Sequence, residues 1–202
     1  MSQLLPKVKI GNIFVVSAPS GSGKSTLVNV LVSKFPERIC RSISCTTRPP
    51  RDGERDGIDY YFLDEKEFET RKKSGDFLES ANIYGYEYGT LKNTVSELQN
   101  CGKDVILVID VQGAAILRKK IDAIYIFIMT PSQEELNIRI KNRGKDKLEM
   151  IEKRLRRGGE ELNERFHYDY ILVNDSKTVA CRILESIIIA ENHKNKALEK
   201  YE

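Results

Sequence analysis

Apolar residues cluster in four short runs, and the stretches between them carry apolar positions at helical spacing. The run at 10–17 (IGNIFVVS) is β-branched and continuous, which predicts a buried strand. Runs at 104–110 (DVILVID), 124–129 (IYIFIM) and 170–173 predict three more. Helical patterns fall at 25–35 and near 91–100, 112–120, 132–142 and 177–199. Strands alternating with helices predict an α/β fold, with a parallel sheet covered on both faces.

Two regions break the alternation. Residues 41–90 are rich in Arg, Asp, Gly and Tyr and contain short alternating segments such as IDYYFL. They predict a small β-rich insert. Residues 143–166 are dense in charge of both signs and predict a helical lid. The core domain is then expected from 1–40, 91–142 and 167–202.

Composition narrows the partners. The 202 residues are 40% hydrophobic, enough to bury a core, and 33 basic against 30 acidic residues leave a net charge of +3. That balance gives no whole-molecule attraction to nucleic acid or membrane, so any bound anion must be held by local groups. The apolar runs are too short to span a bilayer, and residues 1–9 have no apolar signal core. Cys40, Cys45, Cys101 and Cys181 show no CxxC spacing and read as scattered thiols of a reducing compartment. A cytoplasmic protein, monomer or homodimer, is expected.

The first predicted strand runs into Ala18-Pro19-Ser20-Gly21-Ser22-Gly23-Lys24-Ser25-Thr26, followed by a predicted helix. Glycines let successive backbone N–H groups turn inward onto phosphate oxygens, and the helix aims its positive end at the same point. Lys24 adds a full charge for the β- and γ-phosphates, and the Ser25 hydroxyl is placed to ligate Mg²⁺. Ser20 to Thr26 are thus the predicted ATP cradle. The pattern normally opens with Gly; Ala18 stands there, and a positive φ at that residue would count against the reading.

The segment 42–51 (SISCTTRPPR) places Arg48 and Arg51 three apart on a chain stiffened by two prolines. Two guanidinium forks so held suit one phosphate dianion. Tyrosines at 60, 61, 84, 86 and 88 lie nearby and can donate to phosphate. On residue types alone, an exposed basic loop beside core aromatics fits equally well.

The motifs APSGSGKST, SCTTRPPRDGERDGIDYYF, FLESANIYGYEYGT, ILVIDVQG, RIKNRG and VND, in this order and spacing from about 13 to 174, resemble the guanylate kinase family. Bacterial members of that family commonly carry Ala at the first cradle position. The resemblance implies transfer of a phosphoryl group from ATP to GMP with Mg²⁺. It implies a GMP phosphate held by Arg48, Arg51, Tyr60 and Tyr88, and a guanine set against Ser44, Glu79, Thr90 and Asp110. It further implies Arg139, Arg143 and Arg154 at the triphosphate beside Lys24, and Asn174 at the adenine edge.

The chemistry of Glu79 agrees. Guanine presents N1–H and its 2-amino group side by side, and one carboxylate accepts from both. Adenine offers a bare acceptor at N1, and a site whose buried acceptor is left unpaired rejects such an analogue by roughly 10⁴-fold or more. Asp110 has two functional readings, a metal-linked carboxylate at the end of a strand or a wall of the guanine pocket. Many relatives carry Asp two residues earlier, where this chain has Val108. The other lid charges, Arg156 and Arg157 among them, read as a solvated face. His167 and His193 fall in no motif and read as structural or solvated.

Two rivals remain at this level. A related P-loop kinase acting on a ribose phosphate would share the cradle but lack the guanine set. A non-catalytic guanylate-kinase-like binding domain would carry a damaged cradle, whereas Gly23, Lys24 and Ser25 are intact here.

Overall fold

The computed structural model describes residues 4, 5, 10–142 and 148–194, with the backbone alone for 148–150. Strand β1 (Ile13–Ser17) runs up the middle of the molecule and leads through the glycine-rich loop into helix α1 (Lys24–Lys34). A short strand β2 (Ile39–Arg41) follows. Residues 42–91 then leave the first sheet and build a second. It comprises β3 (Cys45–Thr46), β4 (Tyr61–Phe62), helix α2 (Glu65–Lys73), β5 (Phe77–Ile83) and β6 (Tyr86–Leu91). The chain returns through α3 (Lys92–Asn100), β7 (Asp104–Val108), α4 (Val111–Arg118), β8 (Ile124–Met129) and α5 (Gln133–Asn142). Helix α6 (Leu148–Asn163), β9 (Tyr170–Val173) and α7 (Lys177–Asn192) complete it.

The first sheet is parallel throughout, in the order β2-β7-β1-β8-β9. Its strands are apolar on both faces because both faces are covered. Phe14 and Val16 pack with Leu27, Val28 and Leu31 of α1 and Ala180, Leu184 and Ile188 of α7. Val15 points the other way, with Leu107 and Phe127, toward Val95 of α3 and Ala114 and Leu117 of α4. The expected α/β architecture is present. Among the described residues no helix is long and apolar enough to cross a membrane.

The second sheet has the order β4-β3-β6-β5. Its small core joins Cys45, Phe68 and Phe77, with the two phenyl rings stacked at 4.6 Å between centroids. Two elements have no counterpart in the hydrophobic pattern. β2 is three residues long, and α2 buries only Phe68, so neither writes a periodicity. What starts α2 is polar: the Asp64 side chain accepts from the Glu67 N–H at 2.7 Å, capping the first turn. The antiparallel pairing of β5 with β6 shifts register between Phe77 and Glu79, and Glu79 thereby comes opposite Thr90.

At the foot of the sheet, away from the glycine-rich loop, a buried polar knot ties the end of α7 to the residue before β1. Asp104 accepts from the Asn12 N–H at 2.8 Å and from Asn192 Nδ2 at 2.6 Å, while Asn192 Oδ1 accepts from Asn12 Nδ2 at 3.2 Å. Asn192 is the last residue of α7 and is 1% exposed. Replacing Asn192 with Ala leaves a buried carboxylate short of a donor, a loss of about 2 kcal/mol. At roughly 2–4 °C per kcal/mol for a chain of this size, thermal unfolding should show a Tm lower by about 4–8 °C. An unchanged Tm would mean the knot adds nothing.

Candidate functional site

In an open parallel sheet the strand carboxyl ends share one edge, and ligands bind there. The glycine-rich loop leaves β1 at that edge. Gly21 and Gly23 take φ of 93° and 86°, a region that side chains disfavour, and Gly23 serves as the residue preceding α1. Among the described residues the one non-glycine at positive φ is Tyr84, so Ala18 meets no backbone penalty. Lys24 Nζ lies 3.3 Å from the Ala18 carbonyl and 3.5 Å from that of Ile109, which holds the ammonium across the mouth of the loop. Ser25 and Thr26 are exposed in the first turn of α1.

The loop is braced from behind by Asn174, the residue after β9. Its backbone N–H donates to the Met129 carbonyl at 2.7 Å, and its buried Nδ2 donates to the Ser22 carbonyl at 2.7 Å. A Cβ at Gly23 would sit 2.5 Å from that Nδ2, so the close approach of the two segments requires glycine there. Arg139 of α5 donates from Nη1 to the Asn174 carbonyl at 3.1 Å and pairs with Glu135 at 2.7 Å.

A cavity of about 650 Å³ extends from this loop across to the second sheet. On the far wall the Arg48 guanidinium donates to the Tyr88 hydroxyl at 3.1 Å and, from Nη2, to both oxygens of Glu54 at 2.9 and 2.8 Å. It lies 5.5 Å from the Tyr60 ring centroid, and Tyr60 meets Tyr88 edge-on. Burial raises the Tyr60 hydroxyl above its ordinary pKa, so it stands as a neutral donor. The Arg51 N–H also reaches Glu54, at 2.8 Å, while its side chain is exposed beside the cavity.

Glu79 is 4% exposed. Thr90 Oγ1 donates to its Oε1 at 2.6 Å. A Cβ on Gly113 would stand 2.6 Å from its Oε2, so α4 approaches this carboxylate closely because position 113 is glycine. Burial pushes the Glu79 pKa up to about 7, the Thr90 hydroxyl works against that shift, and the nearby Asp110 charge adds to it. Asp110 caps α4 by accepting from the Gly113 N–H at 2.9 Å through Oδ1. Its Oδ2 receives Arg157 Nη2 of α6 at 2.6 Å.

The sequence-predicted residues Ser20 to Thr26, Ser44, Arg48, Arg51, Tyr60, Glu79, Tyr88, Asp110, Arg139 and Arg154 all line this one cavity. Arg154 Nη1 lies 3.4 Å from the Ser20 hydroxyl. Thr90 stands behind Glu79, and Asn174 sits behind the loop with its amide turned to Ser22 rather than to the cavity. Val108 lines the cavity where relatives carry a carboxylate. Arg143 lies outside the described residues. His167 and His193 are exposed.

Arg157 corrects the sequence reading. Its side chain is 17% exposed and paired with both Asp110 and Glu161, so it is no part of a solvated face. The sequence reading also passed over Glu54 and Glu161, and it named Tyr84 only as a phosphate donor, whereas its ring lies under Arg154 and Arg157. Glu54 falls three residues beyond Arg51 in the same turn, and Glu161 lies one helical turn beyond Arg157, both legible spacings.

Fold and site together define a P-loop nucleotide kinase. The model of the guanylate kinase family matches residues 11–191. The chain is 50% identical over 188 residues to a guanylate kinase of Protochlamydia amoebophila, covering 93% of this chain and 95% of that protein. It is 44% identical over 185 residues to one of Alkalilimnicola ehrlichii, covering 91% of each. The crystal structure of guanylate kinase from Anaplasma phagocytophilum superposes with a TM-score of 0.75 at 32% identity, over 95% of this chain and 90% of that one. The chain belongs to the guanylate kinase family.

A site-resolved carboxyl titration by NMR should find Glu79 near 7 rather than 4.5, since burial dominates its shift. Replacing Thr90 with Val removes the one hydroxyl that opposes that shift and should move the midpoint higher. A midpoint at the ordinary carboxylate value would overturn this account.

Proposed function

We propose that the chain transfers the γ-phosphate of ATP to GMP, giving ADP and GDP. The observation that carries this reading is Glu79, a buried carboxylate facing the cavity across from an arginine–tyrosine wall. Its free electron pairs suit the paired N–H donors of guanine, and the wall suits a phosphate dianion. In this reading Arg48, Arg51, Tyr60 and Tyr88 bind the GMP phosphate. Ser44, Glu79, Thr90 and Asp110 bind the base, Thr90 by holding Glu79. Residues Ser20 to Thr26 cradle the triphosphate, with Asn174 supporting the loop at the donor side.

Phosphoryl transfer needs in-line placement and positive charge on the moving oxygens more than covalent help. The attacking atom is a phosphate oxygen of GMP, anionic at neutral pH, so no strong general base is needed. Lys24, Arg139, Arg143 and Arg154 are the residues that would supply charge to the donor. The residues present fit a Mg²⁺ ion held mainly by nucleotide phosphates: Ser25 offers one hydroxyl oxygen at the loop mouth, as such sites require. When bound, that ion neutralises β- and γ-phosphate charge. The four cysteines are free, which supports a reducing, cytoplasmic setting.

We assign GMP binding to the insert 41–90, closure to the lid 143–166 and ATP binding to the remaining core. Closure of insert and lid over both nucleotides would exclude water as a rival acceptor. Fluorescence transfer between labels on the two should rise when both nucleotides bind; an unchanged signal would defeat closure.

The direct test is ADP release with ATP, Mg²⁺ and each of GMP, AMP, CMP and UMP. Turnover with GMP alone supports the reading, and turnover with none of them overturns it. Because guanine needs the ionised carboxylate, KM for GMP should fall as pH rises toward about 7 and level off above it. Below that value, KM should rise about tenfold per pH unit for the one proton that must leave. Replacing Glu79 with Gln should raise KM for GMP at least a hundredfold, abolish this inflection and leave ATP affinity nearly unchanged.

A further inference from the structure

Two arginines one helical turn apart on α6 face the site, and they go to opposite sides of it. Arg154 turns to Ser20 of the phosphate loop. Arg157 turns to Asp110 at the head of α4, with Nη2 2.6 Å from Oδ2, and its Nε reaches Glu161 Oε1 at 2.9 Å. Its guanidinium also lies 5.0 Å from the centre of the Tyr84 ring, and that of Arg154 lies 5.9 Å from the same ring. Tyr84 stands at the tip of the β5–β6 hairpin, in a turn closed by φ of 54° at Tyr84 and 88° at Gly85. Three separate pieces of the chain therefore meet at Arg157: the lid helix, the hairpin tip of the second sheet and the start of α4.

A largely buried guanidinium is costly unless paired, and here two carboxylates and a ring face meet it. Asp110 Oδ1 is already fixed by Gly113, so the bond from Arg157 to Oδ2 settles the orientation of the whole carboxylate. Burial is the main pressure on Glu79; the Asp110 charge adds to it, and Lys120 and Thr90 oppose it. Arg157 bears on Glu79 only through Asp110, whose charge it pairs.

We propose that Arg157 is a positioning residue for the acceptor base, orienting Asp110 and hooking the lid helix onto the acceptor pocket through Tyr84. This rests on the reading of Glu79 and Asp110 as guanine contacts. It makes the lid answer to both nucleotides: Arg154 ties α6 to the donor loop, and Arg157 ties it to the acceptor.

The test is steady-state kinetics of Arg157→Ala, Arg157→Gln, Arg157→Lys and Tyr84→Leu in the full chain, alongside the unaltered protein. Arg157→Ala should raise KM for GMP about tenfold, the scale of one lost charge-assisted hydrogen bond, with KM for ATP within twofold. The inflection in KM for GMP should move to higher pH, because Asp110 then bears on Glu79 uncompensated. Arg157→Lys should restore part of the affinity and most of the pH profile, since charge returns without the fork. Tyr84→Leu should raise KM for GMP severalfold and leave the inflection in place. If Arg157→Ala melts below the assay temperature, Arg157→Gln, which keeps a polar side chain and drops the charge, carries the same expectations. A KM for GMP that stays put, or that rises together with KM for ATP while the inflection does not move, overturns the proposal. Absence of GMP turnover by the unaltered protein would instead overturn the acceptor reading, and this inference with it.

Discussion

Everything at the site depends on the parallel hydrogen bonding of β1 between β7 and β8. Because the strands run the same way, the loop after β1, Asp110 after β7 and Asn174 after β9 emerge at one edge. A parallel ladder allows this only if each strand is followed by a crossover, and the helices that make the crossovers bury both faces. The core packing and the location of the site are therefore one constraint seen twice. Lys24, near carbonyls from both the β1 loop and the β7 end, marks the point where the two strands hand their loops to the ligand.

The walls of the cavity follow a common electrostatic plan, in which arginines are held by carboxylates from the chain itself. Glu54 holds Arg48, Glu135 holds Arg139, and Asp110 with Glu161 holds Arg157. These pairs keep the guanidinium groups oriented and their charge partnered within the chain itself. Glu79 stands apart from the plan. Its carboxylate is met by a hydroxyl rather than a cation, and burial moves its titration into the neutral range.

Much of this was legible in the residues. The buried strands declared themselves because both sheet faces are covered, and β8 and β9 fall on the apolar runs at 124–129 and 170–173. The phosphate cradle was legible because its chemistry is local: glycines, a lysine and a hydroxyl within one turn of chain. β2 and α2 were not, since three residues carry no period and α2 is set by a cap and one phenylalanine. Arg157 was misread for a related reason. Two of its partners are distant, Asp110 47 residues away and the ring of Tyr84, and its i,i+4 pairing with Glu161 is what a solvated helix face shows as well. Asn174 was read as an adenine contact, while its amide bond to Ser22 could only come from the folded loop.

The polar knot between Asn12, Asp104 and Asn192 has a consequence for how the protein is made. The central strand is synthesised first, yet the helix that seals one face of its sheet, and the amide that satisfies Asp104, come last. A chain still on the ribosome can pair the strands of the second sheet, all of which lie within 45–91, but must carry the first with one face covered by α1 alone until α7 emerges. Translation that stops short of Asn192 thus yields a polypeptide with every residue of the glycine-rich loop and no closed core to hold it, a species suited to capture by chaperones or proteases.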